Sequence, residues 1–321
     1  MPDKTKIEVE NKEKIKKIKP VKIKRKIGKT TSDKITDVVI CTVMAFMSIC
    51  AIFPLWYTVV ASLSNPVLVS TGKVILWPKD ITWIGYETMF ETKLLWRGYL
   101  NTMEYTLVGT FLNLCVTVPC GYALSRKTLP FRGLLFAFFM VPMYFGGGMI
   151  ATFVVIKNLG LYNTFWVMVI PHGVTTFNMI ICRNYFNSNI PDSLFESATL
   201  DGASVTQFFF KFVIPLSKPI IAVLTLYFAI PKWNDYMNGL LYINDSKKQT
   251  LQYIIKQLTS TDGASDVVDT NADPDELREA EMKAGIMKYA VIIVAALPLY
   301  ILYPAVQRYL IGGMMVGAVK E

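Results

Sequence analysis

Few residues in this 321-residue chain carry reactive side chains in a catalytic spacing. The single histidine, His172, follows Pro171 in an apolar segment, where an isolated imidazole is expected to pack or hydrogen-bond rather than hold a metal. No H-E-x-x-H, paired D-x-x-D or nucleophile-elbow pattern occurs. The five cysteines, Cys41, Cys50, Cys115, Cys120 and Cys182, lie in apolar segments without metal spacing and read as small core residues. The GKT at 28–30 ends like a phosphate-binding loop, but Ile23 stands where its first glycine belongs and no strand precedes it. The chain reads as a non-enzyme that carries no metal or cofactor of its own. Any ATP that drives it must bind another polypeptide.

Polar groups inside apolar segments are the remaining chemistry, because charge within a bilayer is costly and marks function by default. Glu104 is one such group, and either a functional role or a place near the outer headgroups fits it. Lys288 has the reach to snorkel outward. The run at 232–236 is the richest. Trp233 and Tyr236 offer faces on which a sugar ring stacks, and Asn234 and Asp235 offer partners for hydroxyls. An interfacial aromatic belt with polar anchors is the equal alternative. Asn178 is a weaker pathway candidate, since an asparagine between helices often bonds a neighbour.

The elements that must position these groups are apolar helices. The chain is 53% hydrophobic with a mean hydropathy of +0.39, and six segments approach the ~20 residues that span a bilayer. They fall at about 35–63, 99–124, 134–156, 164–185, 219–242 and 285–304. The expected fold class is all-α, a polytopic membrane protein. A basic extension, 1–34, precedes the first span. With thirteen lysines and arginines against five acids, it suits solvent or anionic headgroups. It lacks the short apolar core and cleavage site of a signal peptide. If both termini are inside, 21 of the 33 basic residues lie on inner segments, so the positive-inside rule favours cytoplasmic termini. This placement also argues against nucleic acid as the partner of a chain with net charge +9. Each span holds a proline (Pro54, Pro119, Pro142, Pro171, Pro231, Pro298), and glycines 146–148 interrupt the third. Ordinary bends and helices bent around a cavity both fit. The largest external segment, 243–284, has eight acids between 262 and 281, and Asp273-Pro274 suggests a short capped helix. It reads as a solvated loop or a docking surface.

Between the fourth and fifth spans lies a stretch, 190–219, that is amphipathic and partly charged. Ser193 and Glu196 have capping-box spacing after Pro191, and Ser204 with Gln207 repeats it. Gly202 between them suits a turn at positive φ. The expectation is helix, glycine turn, helix, on the cytoplasmic membrane surface.

ESATLDGA at 196–203, followed by FFFKFVIPLSKP at 208–219, resembles the EAA loop of bacterial ABC importer membrane subunits. Ser197 replaces the usual first alanine of that pattern. NTMEYTLVGTFLNL, GYALSRKTLPFRG, the GGGMI break, NLGLYNT, WNDY and the ending YPAVQRYLIGGMMVGAVKE extend the resemblance over nearly all of 35–321. The chain is similar to carbohydrate-uptake permeases of the LplC/YtcP type, relatives of the maltose permease subunit MalG. That resemblance implies a type I (MetI-like) importer fold of six transmembrane helices over 35–321, in the bacterial cytoplasmic membrane. It implies a second, homologous permease, two ATPase subunits holding ATP and magnesium, and an extracellular lipoprotein that delivers an oligosaccharide. The loop 190–219 would be the coupling element, with Glu196, Ala198, Asp201, Gly202 and Ala203 as its ATPase-coupling residues. The region near 312–319 would also approach the ATPases, and 243–284 would act on the sugar-binding protein. An ion-coupled secondary sugar carrier is the alternative, which would show buried acids and inverted repeats. A membrane enzyme would need an acidic or metal-binding cluster, and a structural or signalling protein would carry no flux.

Overall fold

The computed structural model describes residues 31–259 and 274–318. All regular elements among them are helical, which suits lipid because a helix satisfies its own backbone polar groups. The chain divides into two units, Met1–Pro54 and Leu55–Glu321. In the first, helix Thr31–Ser62 begins. Its apolar window has a mean hydropathy of 2.5 and no buried share, an apolar surface that soluble proteins do not leave bare. Most of the basic extension lies outside the described residues. Its last residues, 31–34, already belong to this helix.

In the second unit, helix Lys93–Ser125 is the frame. Its 33 residues extend about 50 Å at 1.5 Å per residue. Small buried residues along one side (Gly98, Thr102, Thr106, Gly109, Thr110, Gly121) let neighbours approach closely. Helices Lys218–Trp233 and Thr176–Asn189 use that side. Near its C-terminal end, Val118 and Tyr122 join Cys182, Phe186, Phe208 and Leu224 in one core. Near its N-terminal end, Leu95 joins Met89, Trp233, Leu251, Ile254 and Met287 in another.

Among the described residues three helices are long and apolar enough to cross a membrane, and up to five crossings result if each of two bent pairs is one. The third expected span is such a pair, Arg132–Tyr144 and Gly148–Asn158, at 115° across the predicted glycine break. Val205–Leu216 and Lys218–Trp233 meet at 77° around Ser217. The expected span 164–185 is instead helix Trp166–Val169, a turn, and helix Thr176–Asn189. Pro171 and Gly173 break it, and His172 between them takes φ 59°. The fifth expected span ends early at Trp233, and Met237–Tyr242 is a separate helix.

Several expectations change accordingly. Pro54, Pro119, Pro142, Pro231 and Pro298 all lie inside helices, while the sharp bends fall at the glycines and Ser217. His172 is exposed rather than packed. Of the cysteines only Cys182 is a core residue; Cys41, Cys50 and Cys115 are exposed and Cys120 is half-buried. The apolar segments that hold them face outward along much of their surface, so apolar surroundings in sequence did not mean burial in protein. The segment 243–284 holds a helix, Leu251–Thr259, that no spacing foretold. The helix starting at Pro274 is not short but runs to Ala318, through the sixth apolar segment. Asp262, Asp266, Asp269 and Asp273 lie outside the described residues.

Candidate coupling surface and pathway residues

The stretch 190–219 folds as helix, glycine turn and helix. Ile190 is buried, and Pro191 in an extended conformation starts helix Asp192–Leu200. The expected Ser193–Glu196 capping box is absent. Pro191 is itself the cap residue, so Ser193 falls inside the first turn, where its carbonyl accepts the Ser197 hydroxyl at 2.9 Å. Asp192 occupies the first helical position, where a carboxylate suits the helix dipole, and pairs with Arg126 at 3.2 Å.

The helix ends in a Schellman turn. The Ala203 amide donates to the Ala198 carbonyl at 2.9 Å, and the Gly202 amide to Thr199 at 3.0 Å. Gly202 takes φ 81°, which the missing Cβ permits without strain. The second expected capping box is present. The Gln207 amide donates to Ser204 Oγ at 3.2 Å, and the Ser204 amide donates to Gln207 Oε1 at 3.0 Å. Phe195 meets the fully buried Phe208 edge-on at 5.2 Å, which locks the two helices together. Helix Val205–Phe208 then passes through a π turn, Phe209–Val213.

This geometry divides the five predicted coupling residues. Ala198 and Ala203 face the core. Glu196 and Asp201 are exposed, and Gly202 forms the turn between the helices. Beside them stand bare apolar side chains: Leu200 is 90% exposed, Val205 62% and Phe210 64%. A hydrogen-bonded turn with exposed acids and bare apolar side chains has no nucleophile and base for covalent chemistry, but it can dock.

The pathway candidates do not form one site. Trp233 is buried in the core, its Nε1 donates to the Ala295 carbonyl at 2.9 Å, and it also lines a cavity. Asn234 caps the helix end and accepts from Gln252 at 3.2 Å. Asp235 receives both the Asn238 amide and its side chain, at 3.0 and 2.7 Å. Tyr236 stacks on Tyr253 with centroids 6.2 Å apart. Asn178 is buried on its own helix. Lys232 folds back into the space left by Gly109, and its Nζ donates to the carbonyls of Met168 and Val169 at 3.3 and 3.0 Å. Glu104 is exposed, and the Lys288 ammonium lies 5.2 Å from the Tyr289 ring centre. Among the described residues no cluster of histidine, cysteine and acids could hold a metal.

A polar stripe escaped the sequence reading. Thr102, Thr106, Thr110, Asn113 and Thr117 lie on one side of the long helix, all buried. Thr102 accepts the Leu251 amide at 2.8 Å, whereas the hydroxyls of Thr106, Thr110 and Thr117 have no partner among the described residues. Thr106 and Thr110 line a cavity of about 330 Å³ with Thr225, Trp233 and Leu299. Their three- and four-residue spacing was the available signal.

Known proteins share this architecture. Residues 114–316 match the family described as binding-protein-dependent transport system inner membrane component. Protein LplC of Bacillus subtilis is 34% identical over 91% of this chain and 97% of its own length. The polygalacturonan/rhamnogalacturonan transport system permease YtcP of the same organism is 33% identical over 90% and 99%. A solved structure of a bacterial ABC transporter involved in import of the acidic polysaccharide alginate matches with a TM-score of 0.78. It is 32% identical and covers 88% of this chain and 98% of its own. These matches separate the chain from secondary carriers and from enzymes, and place it among multi-pass transport permeases. The surface hairpin and the helices that carry it thus belong to a member of the binding-protein-dependent transport system inner membrane component family.

Proposed function

We propose that this chain is one of two permease subunits of a bacterial importer that carries an oligosaccharide, released from a polysaccharide, across the cytoplasmic membrane. Two separate ATPase subunits hold the ATP and magnesium, and an extracellular lipoprotein delivers the sugar. Relatives named for polygalacturonan and galactooligosaccharide transport support that substrate class. The division into a basic cytoplasmic extension, 1–34, and a six-crossing transmembrane domain, 35–321, belongs to the same reading. So do cytoplasmic termini, in keeping with the excess of lysine and arginine on that side.

The observation that carries the reading is the hairpin 192–208. Leu200 and Val205 stand bare at its tip, Glu196 and Asp201 flank them, and the Schellman turn at Gly202 fixes their spacing. An apolar tip inserted in a groove on an ATPase supplies affinity, and the acids set partner and register. Closure of the ATPase pair shifts the hairpin as a rigid body, and the helices packed on it tilt in turn. The segment 243–284, outside, meets the binding protein.

The test is co-purification in mild detergent with candidate partners expressed together, comparing wild type with Glu196→Lys. The expected result is an ATPase and a second permease with wild type, and loss of the ATPase from the variant. A chain that purifies alone and moves solute into liposomes without ATP would overturn the reading.

A further inference from the structure

We propose that Arg126 is the positioning residue that makes the surface hairpin and the long helix Lys93–Ser125 move as one body, a role that rests on the coupling reading above. Arg126 is the first residue after that helix, and its side chain is only 12% exposed. Every part of its guanidinium is engaged. Nη1 donates to Asp192 Oδ1 at 3.2 Å, at the start of the hairpin. Nη2 donates to the carbonyls of Phe186 and Ile190, at 3.4 and 3.1 Å, where helix Thr176–Asn189 ends. Nε donates to Ser125 Oγ at 3.1 Å, and the plane lies 5.1 Å from the Tyr122 ring centre. One side chain therefore ties three elements: the end of the long helix, the end of helix Thr176–Asn189 and the first residue of the hairpin.

The chemistry suits force transmission. A planar guanidinium holds several acceptors in fixed directions, which a flexible ammonium cannot. The cation at the C-terminal carbonyls of one helix complements that dipole, and the Asp192 carboxylate it pairs with complements the N-terminal end of the next. The neighbouring Lys127 is a contrast. Its Nζ lies 3.8 Å from Asp192 Oδ2, but its side chain is 82% exposed, so water and salt screen it. Arg132 and Arg183 hold the Leu124 carbonyl, at 2.9 and 3.2 Å, and anchor the helix end without touching the hairpin.

The test is a distance measurement by pulsed electron resonance. Spin labels sit at exposed Cys115 on the long helix and at Thr199→Cys on the hairpin, with Cys41, Cys50 and Cys120 replaced by serine. The full complex is compared without nucleotide and with ATP trapped by vanadate. Wild type should give one narrow distance, unchanged between states. Arg126→Gln should at least double the width of the distribution in the trapped state and lower sugar moved per ATP. Arg126→Lys should fall between, and Lys127→Gln should match wild type. A narrow, unchanged distance in both Arg126 variants overturns the proposal. If Arg126→Gln does not accumulate in membranes, the lysine variant decides. If no ATPase co-purifies with wild type, the coupling reading fails instead, and the width measured on the chain alone still tests the tie.

Discussion

The two ends of the long helix are fastened in different ways. At its N-terminal end the bonds are neutral and run from side chains to the backbone of one loop. Asn101 donates to the carbonyls of Lys247 and Gln249 at 2.9 and 3.1 Å, and the Tyr105 hydroxyl to Lys248 at 2.8 Å. Thr102 accepts the Leu251 amide. At its C-terminal end three arginines grip helix-terminal carbonyls and a carboxylate. Neutral bonds fix a loop in place at about 1 kcal/mol each. Charged forks are roughly twice as strong and hold direction. Under the proposed coupling role, the comparison says where force would pass: the end beside the hairpin would transmit it, and the opposite end would hold a shape.

The harshest way to break that comparison is at the hairpin turn. Gly202→Pro should leave a membrane-inserted protein with uptake reduced more than tenfold. Proline is fixed near φ −65°, while the turn requires φ 81° and uses the Gly202 amide as a donor to Thr199. Gly202→Ala keeps the donor and faces open space, so it should lose only the about 1–2 kcal/mol of a left-handed residue. Full uptake by the proline variant, with normal membrane levels on a blot, would remove the hairpin from the transport cycle.

A middle-sized effect sharpens the contrast halfway along the helix. A Cβ on Gly109 would stand 2.6–2.8 Å from the end of the Lys232 side chain. Gly109→Val should expel that ammonium from the carbonyls of Met168 and Val169 and cost about 1–3 kcal/mol of overpacking. Thermal unfolding in detergent reads this loss. Gly109→Val combined with Lys232→Met should lose less than the sum of the single changes, because both act on one contact. Strict additivity would mean the lysine and the glycine are independent.

What the sequence revealed differs from element to element. Gly202 and the Ser204–Gln207 box could be read because a positive φ and a capped first turn each demand particular residue types a few positions apart. The Ser193–Glu196 box had the same spacing and failed, since Pro191 took the cap position and shifted the helix start. Trp233 shows a different limit of local pattern. An aromatic beside polar residues looks like a binding face, but its indole reaches Ala295, 62 positions away. Arg126 counted only as a positive charge on the inner side, because nothing local indicates that Phe186, Ile190 and Asp192 converge on it. Contacts set by neighbouring residues leave a pattern, whereas those set by packing between distant helices leave none.

The smallest expected effect tests whether the N-terminal fastening is static. Tyr105→Phe removes a single neutral bond, to the Lys248 carbonyl, and keeps the ring against Phe165 at 5.2 Å between centroids. Stability should fall by about 1 kcal/mol. Co-purification of the ATPase should not change, because the hairpin lies at the other end of a helix about 50 Å long. Uptake at saturating sugar should stay within about twofold, since 1.4 kcal/mol is tenfold and a loop bond contributes only where the loop moves. The informative measurement is therefore how uptake depends on the concentration of the binding protein. If that dependence shifts while maximal uptake holds, the loop at 243–251 is part of the outer docking surface. If maximal uptake falls as far as it does in an Arg126 variant, both ends of the helix transmit force, and the distinction between a holding end and a transmitting end is lost.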